Sequence, residues 1–346
     1  METDDNASLG LMKNIERIYS GSTGIIGNLK TAVEKLMPYF GRPFLDFLNS
    51  KTEEGLSIAE VNRALAKKHE AEACLLNKKA ARLAESIMRE PSSYEILERI
   101  ALENLVSDLT KKKYNLERVV GMMFDELPSF ARPSGDVKAI SAPWLEQFRY
   151  LAERPSDADL QVHFARILAG EIANPGSFDP ATLTILTILT QDAAEFFQLL
   201  CCMSILTRNC AYILISVPDY EKPTTAHNSI SGLITMGEQL SPFGLSHSAL
   251  LELRTMGLLA SLPEEQYPDF GADFDGRALP FAGRAIRLDA SGHKQKHGEE
   301  LRCNALSLTS AGNQLRSILS LEPRADYTAA LSTMMKRARI NMKLVH

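Results

Sequence analysis

Cysteine and tryptophan are scarce in this chain of 346 residues, with five of the first and one of the second. The cysteines are Cys74, Cys201, Cys202, Cys210 and Cys303, an odd count with no pair at zinc-ligand spacing. They read as reduced thiols, small apolar residues in a core rather than a disulfide frame. Long apolar runs are missing too. The strongest stretch, 195–217, is interrupted at Thr207, Arg208 and Asn209, well short of the ~20 residues that span a bilayer. A buried helix followed by a buried strand fits it better. The opening residues, METDDNASLG, lack the basic and apolar regions of a secretory signal. The expected location is therefore the cytoplasm. Nor is there an excess of positive charge: 38 Lys and Arg stand against 43 Asp and Glu, for a net charge of −5. Such a chain is not drawn as a whole onto nucleic acid or an anionic membrane, and either contact would need a local basic patch.

The motifs of common chemistries are also missing. GSTGIIG at 21–27 is not followed by the Gly-Lys-Ser/Thr of a phosphate loop, and no strand precedes it as a dinucleotide fold requires. Asp269-Phe270-Gly271 carries kinase letters without a Gly-rich loop, strand lysine or catalytic loop. Asp273 and Asp275 lack the calcium-loop frame and its final glutamate. His293 and His297 are four apart but have no third ligand. Ser291 and Lys294 match a Ser-x-x-Lys string with no partner motif. No nucleophile elbow or hydrolase triad is present. The expectation is a non-enzyme with no cofactor and no metal.

Helices dominate what is there. Residues 8–48 read as helix broken by Gly21, Gly24 and Gly27, with a membrane-touching role for 21–40 the weaker reading. Ser57 and Glu60 form a capping box for a long helix over 57–90. Its interleaved charges mark a solvated face. Pro91 ends it, and 93–126 predicts a second helix with Leu97, Ala101, Leu105, Leu109, Leu116, Val119 and Met123 on one stripe. Two such helices joined by a short turn predict an antiparallel hairpin. Residues 127–143, with three prolines, read as a linker. Next comes a tightly capped module. Trp144 opens one helix. Ser156 caps another, with Asp157 and Asp159 in its first turn, and that helix ends at Asn174-Pro175-Gly176. Asp179-Pro180 starts a third, and a fourth begins near Thr190.

The C-terminal part mixes helix and strand. AYILISV (211–217) predicts a strand, and helices are expected near 228–239 and 246–256. The alternating segments 282–290 and 301–308 predict a hairpin, and Thr309 caps a helix after them. That order resembles a winged helix. Its recognition helix would hold Glu252 and Arg254, which cancel, and its wing would offer Lys294 and Lys296 beside Glu299 and Glu300. DNA binders spend several cations on phosphates, so protein contact is the favoured use of the module. Lys336, Arg337, Arg339 and Lys343 form a basic tail, suited to nucleic acid, a membrane surface or an acidic partner. The acidic loop at Glu264, Glu265, Asp269, Asp273 and Asp275 is the plainest such partner.

The string FARILAGEIANPGSF (164–178), with Trp144, Phe148, Ser156, Asp157, Gln161, Leu183, Leu186, Ala193 and Phe196 around it, resembles the bacterial family called domain of unknown function 2806. His163-Phe164 departs from that pattern, where a polar or small residue followed by tryptophan is expected. The resemblance implies no agreed activity, and it points to helical proteins of abortive-infection-type antiviral defence. The motif letters singled out are Trp144, Arg166, Gly170, Glu171, Pro175, Gly176 and Phe178, with Arg166 and Glu171 expected to pin the corner before Pro175-Gly176. The fold expected is mainly α: a helical domain over 1–126, a linker over 127–143 and a central module over 144–206. A winged-helix-like α+β module with a small hairpin follows over 207–325, then a basic helix or tail over 326–346. The function expected is a non-enzymatic interaction protein that self-associates or holds a protein partner. A nucleic-acid-binding regulator and a membrane-acting defence effector are the alternatives.

Overall fold

The computed structural model describes residues 23–40, 93–130, 138–207, 210–218, 227–229, 239–260, 277–292 and 303–345. It also describes Lys13, Asn14, Phe44, Leu48 and Lys78 singly. The chain divides into two compact units, Met1–Leu183 and Thr184–His346. It is mainly α, with a β module confined to the second unit. The predicted helix over 57–90, the acidic loop and the lysines Lys294 and Lys296 lie outside the described residues.

The first unit is helical. Its elements are α1 (Thr23–Leu36), α2 (Ser93–Phe130), α3 (Ala142–Ala152) and α4 (Ala158–Ala173). The α1 segment is not a broken helix. Ile25, Leu29, Ala32, Val33 and Leu36 are all buried, so its apolar face packs into the core. No helix among the described residues is long and apolar enough to cross a membrane. Asn28 fastens α1 to its neighbours. Its amide donates to the carbonyls of Lys138 and Ile172, and its oxygen accepts from the Ile140 N–H at 3.1 Å. α2 runs past its expected end, through Pro128 to Phe130. Proline removes one helical N–H, but Leu127 and Phe124 beside it are buried, and packing holds the last turn in place. The cap of α4 is Asp157, not Ser156: its carboxylate accepts from the Leu160 N–H at 2.8 Å. A second polar tie crosses the core where Gln161 donates to Asn115 at 3.1 Å and to the Pro155 carbonyl at 2.7 Å. Asn115 in turn donates to the carbonyls of Glu153 and Arg154, closing the α3–α4 turn onto α2.

α5 (Pro180–Ile188) starts at the expected proline, and α6 (Gln191–Cys201) starts where expected, near Thr190, whose hydroxyl caps it by accepting from the Ala193 N–H at 3.1 Å. The second unit continues with β1 (Ile205–Leu206), β2 (Ala211–Pro218) and β3 (His227–Ser229), then α7 (His247–Thr255). It closes with β4 (Ala278–Phe281), β5 (Arg284–Asp289), β6 (Asn304–Ser307), α8 (Ser310–Arg316), α9 (Ala325–Arg337) and β7 (Asn341–Val345). The strands form one antiparallel sheet of order β3-β2-β1-β4-β5-β7, with β6 also paired to β2. Two expectations are corrected here. Segments 282–290 and 301–308 do not pair with each other: β5 lies between β4 and β7, and β6 pairs with β2. Alternation marks a strand but does not choose its partner. Residues 227–229, at the edge of a predicted helix, are strand. The hairpin that does form is β4–β5, turned by Ala282 and Gly283, both at positive φ. The last segment is not only helix: β7 pairs in register with β5, and α9 is anchored by Tyr327, whose hydroxyl donates to the Leu214 carbonyl at 2.9 Å. Thr309 caps α8 as expected, accepting from the Gly312 N–H at 3.0 Å.

Candidate functional site

The motif residues converge on one corner, where α4 ends and the chain turns through Asn174-Pro175-Gly176 toward α5. Glu171 is buried on α4 at 2% exposure. One of its carboxylate oxygens accepts from the Gly176 N–H at 2.7 Å, and the other accepts from the Phe178 N–H at 3.0 Å. The Ser177 N–H donates to the Asn174 carbonyl at 3.1 Å and closes the same turn. Burial pushes the Glu171 pKa up from its ordinary value, and the backbone N–H groups pull against that rise. Gly176 holds φ +89, which a left-handed turn requires. The Trp144 indole N–H donates to the Phe178 carbonyl at 2.7 Å, so both backbone groups of Phe178 are bonded to motif side chains. Gly170 lets the Phe178 ring approach: a Cβ there would stand 2.7 Å from Phe178 Cε2. Trp144 stacks on Phe148 at 5.3 Å between ring centroids, and Phe148 meets Phe164 edge-on at 5.8 Å.

Arg166 does not join this cradle. It pairs with Glu126 of α2 at 3.2 Å. The sequence expectation is thus right for Glu171 and misplaced for Arg166, which ties α4 to α2. His163, one turn before it, has its pKa lowered by burial and then by Arg166, and its Nδ1 is buried without a hydrogen-bond partner. Both Glu171 oxygens accept from backbone donors, one each, which ties the end of α4 to the turn that follows it. Among the described residues no cluster of His, Cys, Asp or Glu could hold a metal ion. A hollow beside α7, lined by His247, Leu250, Leu251, Arg254, Leu259 and Ala260, has room for about one water molecule.

The basic residues of the C-terminus sit elsewhere. Lys336 and Arg337 are exposed in the last turn of α9, where cations complement the helix dipole. Arg339 follows at φ +61, and Lys343 is exposed on β7. Sequence reading missed their neighbours. β5 carries exposed Arg284 and Arg287, with Arg287 directly opposite Lys343, and exposed Arg277 precedes β4. The alternation of 284–289 is visible in the sequence, but nothing in it assigns that strand to residues 341–345.

A helical first unit locked at a Glu–Pro–Gly corner, followed by an antiparallel sheet unit, defines a scaffold whose motif residues are engaged in holding its own backbone. The family model described as Protein of unknown function (DUF2806) matches residues 98–332, well over half of the chain, and the chain belongs to that family. No curated protein and no solved structure matches it.

Proposed function

We propose that this protein is a non-enzymatic interaction protein that pairs with a second copy of itself through the N-terminal half of α2. The observation that carries the reading is the apolar stripe of that helix. Leu116, Val119 and Met123 are buried. The same stripe continues toward the N-terminus as Leu102, Leu105 and Leu109, which are 54%, 54% and 56% exposed. Steps of three and four residues give the heptad seam that a facing helix covers. An apolar stripe this long is unusual on the surface of a lone soluble protein. A second α2 related by a two-fold axis offers an identical seam. The setting we propose is abortive-infection-type antiviral defence, which rests on the family resemblance alone.

Sedimentation velocity tests the pairing. The wild-type chain is expected to run at twice its own mass, and the pair Leu105→Glu and Leu109→Glu is expected to run as a monomer with unchanged circular dichroism. A wild type that stays monomeric at every concentration overturns the reading. For the setting, phage plating efficiency that does not change on gene deletion removes defence from the proposal.

A further inference from the structure

We propose that His163 is an acid-operated latch between α4 and α2: as a neutral ring it closes the seam between the two helices, and on taking a proton it loosens them. α4 is held against α2 by polar ties on both sides of this residue. Gln161, two residues before it, donates to Asn115 at 3.1 Å, and Arg166, three residues after it, pairs with Glu126 at 3.2 Å. Gln161, Phe164 and Ala165 are fully buried, so the turn of helix that carries His163 is fixed by its neighbours. The ring nitrogen Nδ1 is itself buried, and no group among the described residues hydrogen-bonds to it.

A neutral imidazole carries one hydrogen and leaves its other nitrogen bare, whereas the cation carries a hydrogen on both. With the hydrogen on Nε2, a bare Nδ1 is tolerated in the seam. Protonation puts a charged donor at a buried position where the described residues supply no acceptor. A buried charge or donor without a partner is costly. The ring meets that cost by drawing solvent or a carboxylate to Nδ1, and either requires α4 to shift from α2. Among the described residues the charged groups that face the ring are Arg166, Asp159 and Asp157 on its own helix and cap, and Glu126 on α2. Arg166 opposes a second cation and the three carboxylates favour one. Burial, with Arg166 behind it, outweighs them and holds the His163 pKa below its ordinary value of 6.5. Of the three carboxylates only Glu126 is on the facing helix, and it is the partner of Arg166. A charged His163 therefore competes for a group that ties the helices together. Leucine or methionine would fill the seam without titrating, so it is the histidine that makes closure depend on pH.

A folded state that binds the proton less tightly than the unfolded chain keeps the group's full contribution above the ordinary value of 6.5 and loses it as pH falls through the folded value. Glu171 has the opposite sign, so the two groups are separable. Amide hydrogen exchange on the full chain, wild type beside His163→Gln, tests the latch. The ratio of wild-type to variant exchange rates in α4 and in the facing residues 115–126 of α2 is expected to rise roughly tenfold between about pH 7.5 and about pH 5.5. The same ratio in the sheet of the second unit is expected to stay constant. Nuclear magnetic resonance of the wild-type ring needs no variant. His163 is expected to titrate below 6.5, with shifts at Arg166 and Glu126 that follow the same curve. Three results overturn the proposal: a ring that titrates at or above 6.5, an exchange ratio that does not change with pH, or a change spread equally over both units.

Discussion

Replacing Glu171 with alanine is expected to destabilise the protein by about 3 kcal/mol, seen as a lower urea midpoint with an unchanged slope. The substitution leaves the Gly176 and Phe178 N–H groups facing the space the carboxylate filled. A buried donor left unpaired costs ~1–3 kcal/mol. Relief from burying a charge offsets part of the total. Glu171→Gln is expected to cost nearly as much as alanine, because its amide NH2 must face one of the two backbone N–H groups. The pH dependence has a definite sign. Burial raises the folded-state pKa above the ordinary value of 4.5. A folded state that holds the proton more tightly gains most from the group at low pH and loses that gain as pH rises through the folded pKa. The difference between wild type and Glu171→Ala is therefore expected to be larger at pH 4 than at pH 7. A difference that grows toward neutral pH would mean that the backbone N–H groups outweigh burial.

How much of this was legible in advance depended on the range of each interaction. Local chemistry was readable. Thr309 caps the helix it was expected to cap, because a hydroxyl and an N–H three residues on need no tertiary information. The same logic misplaced one cap by a residue, since Ser156 and Asp157 are both good caps and only the backbone chooses between them. The role of Glu171 was readable because its donors lie five and seven residues away. Arg166 was not, because Glu126 is on another helix. Asn28 carried no signal in sequence, although it joins segments more than a hundred residues apart. The sheet shows the limit most clearly. β5 and β6 were both visible as alternating segments, but their partners were not, because pairing between distant strands is settled by which buried faces meet. The placement of Arg287 opposite Lys343 followed from that pairing and so escaped detection with it.

In the second unit the largest single cost is expected at Gly283. Ala282 and Gly283 turn the β4–β5 hairpin at φ +43 and +80, a two-residue turn whose left-handed conformation matches the twist of the strands. A Cβ at Gly283 would stand 2.1 Å from the Leu321 carbonyl oxygen, so backbone, not a flexible side chain, has to move. Gly176 separates this steric effect from the backbone one. It has a similar φ of +89, but a Cβ there meets nothing within 4 Å. Gly176→Ala is therefore expected to cost only the left-handed penalty, about 1–2 kcal/mol. Gly283→Ala is expected to cost about 4 kcal/mol or more, in the range reserved for a forced backbone shift. Equal losses for the two variants in chemical denaturation would remove Leu321 as the cause. The hairpin also fixes the register of the strands it joins. Its turn sets the register in which Arg287 lies opposite Ala278 and Lys343. A slip of one residue would carry Arg287 to the buried face of the sheet and bring Ile286 to the surface.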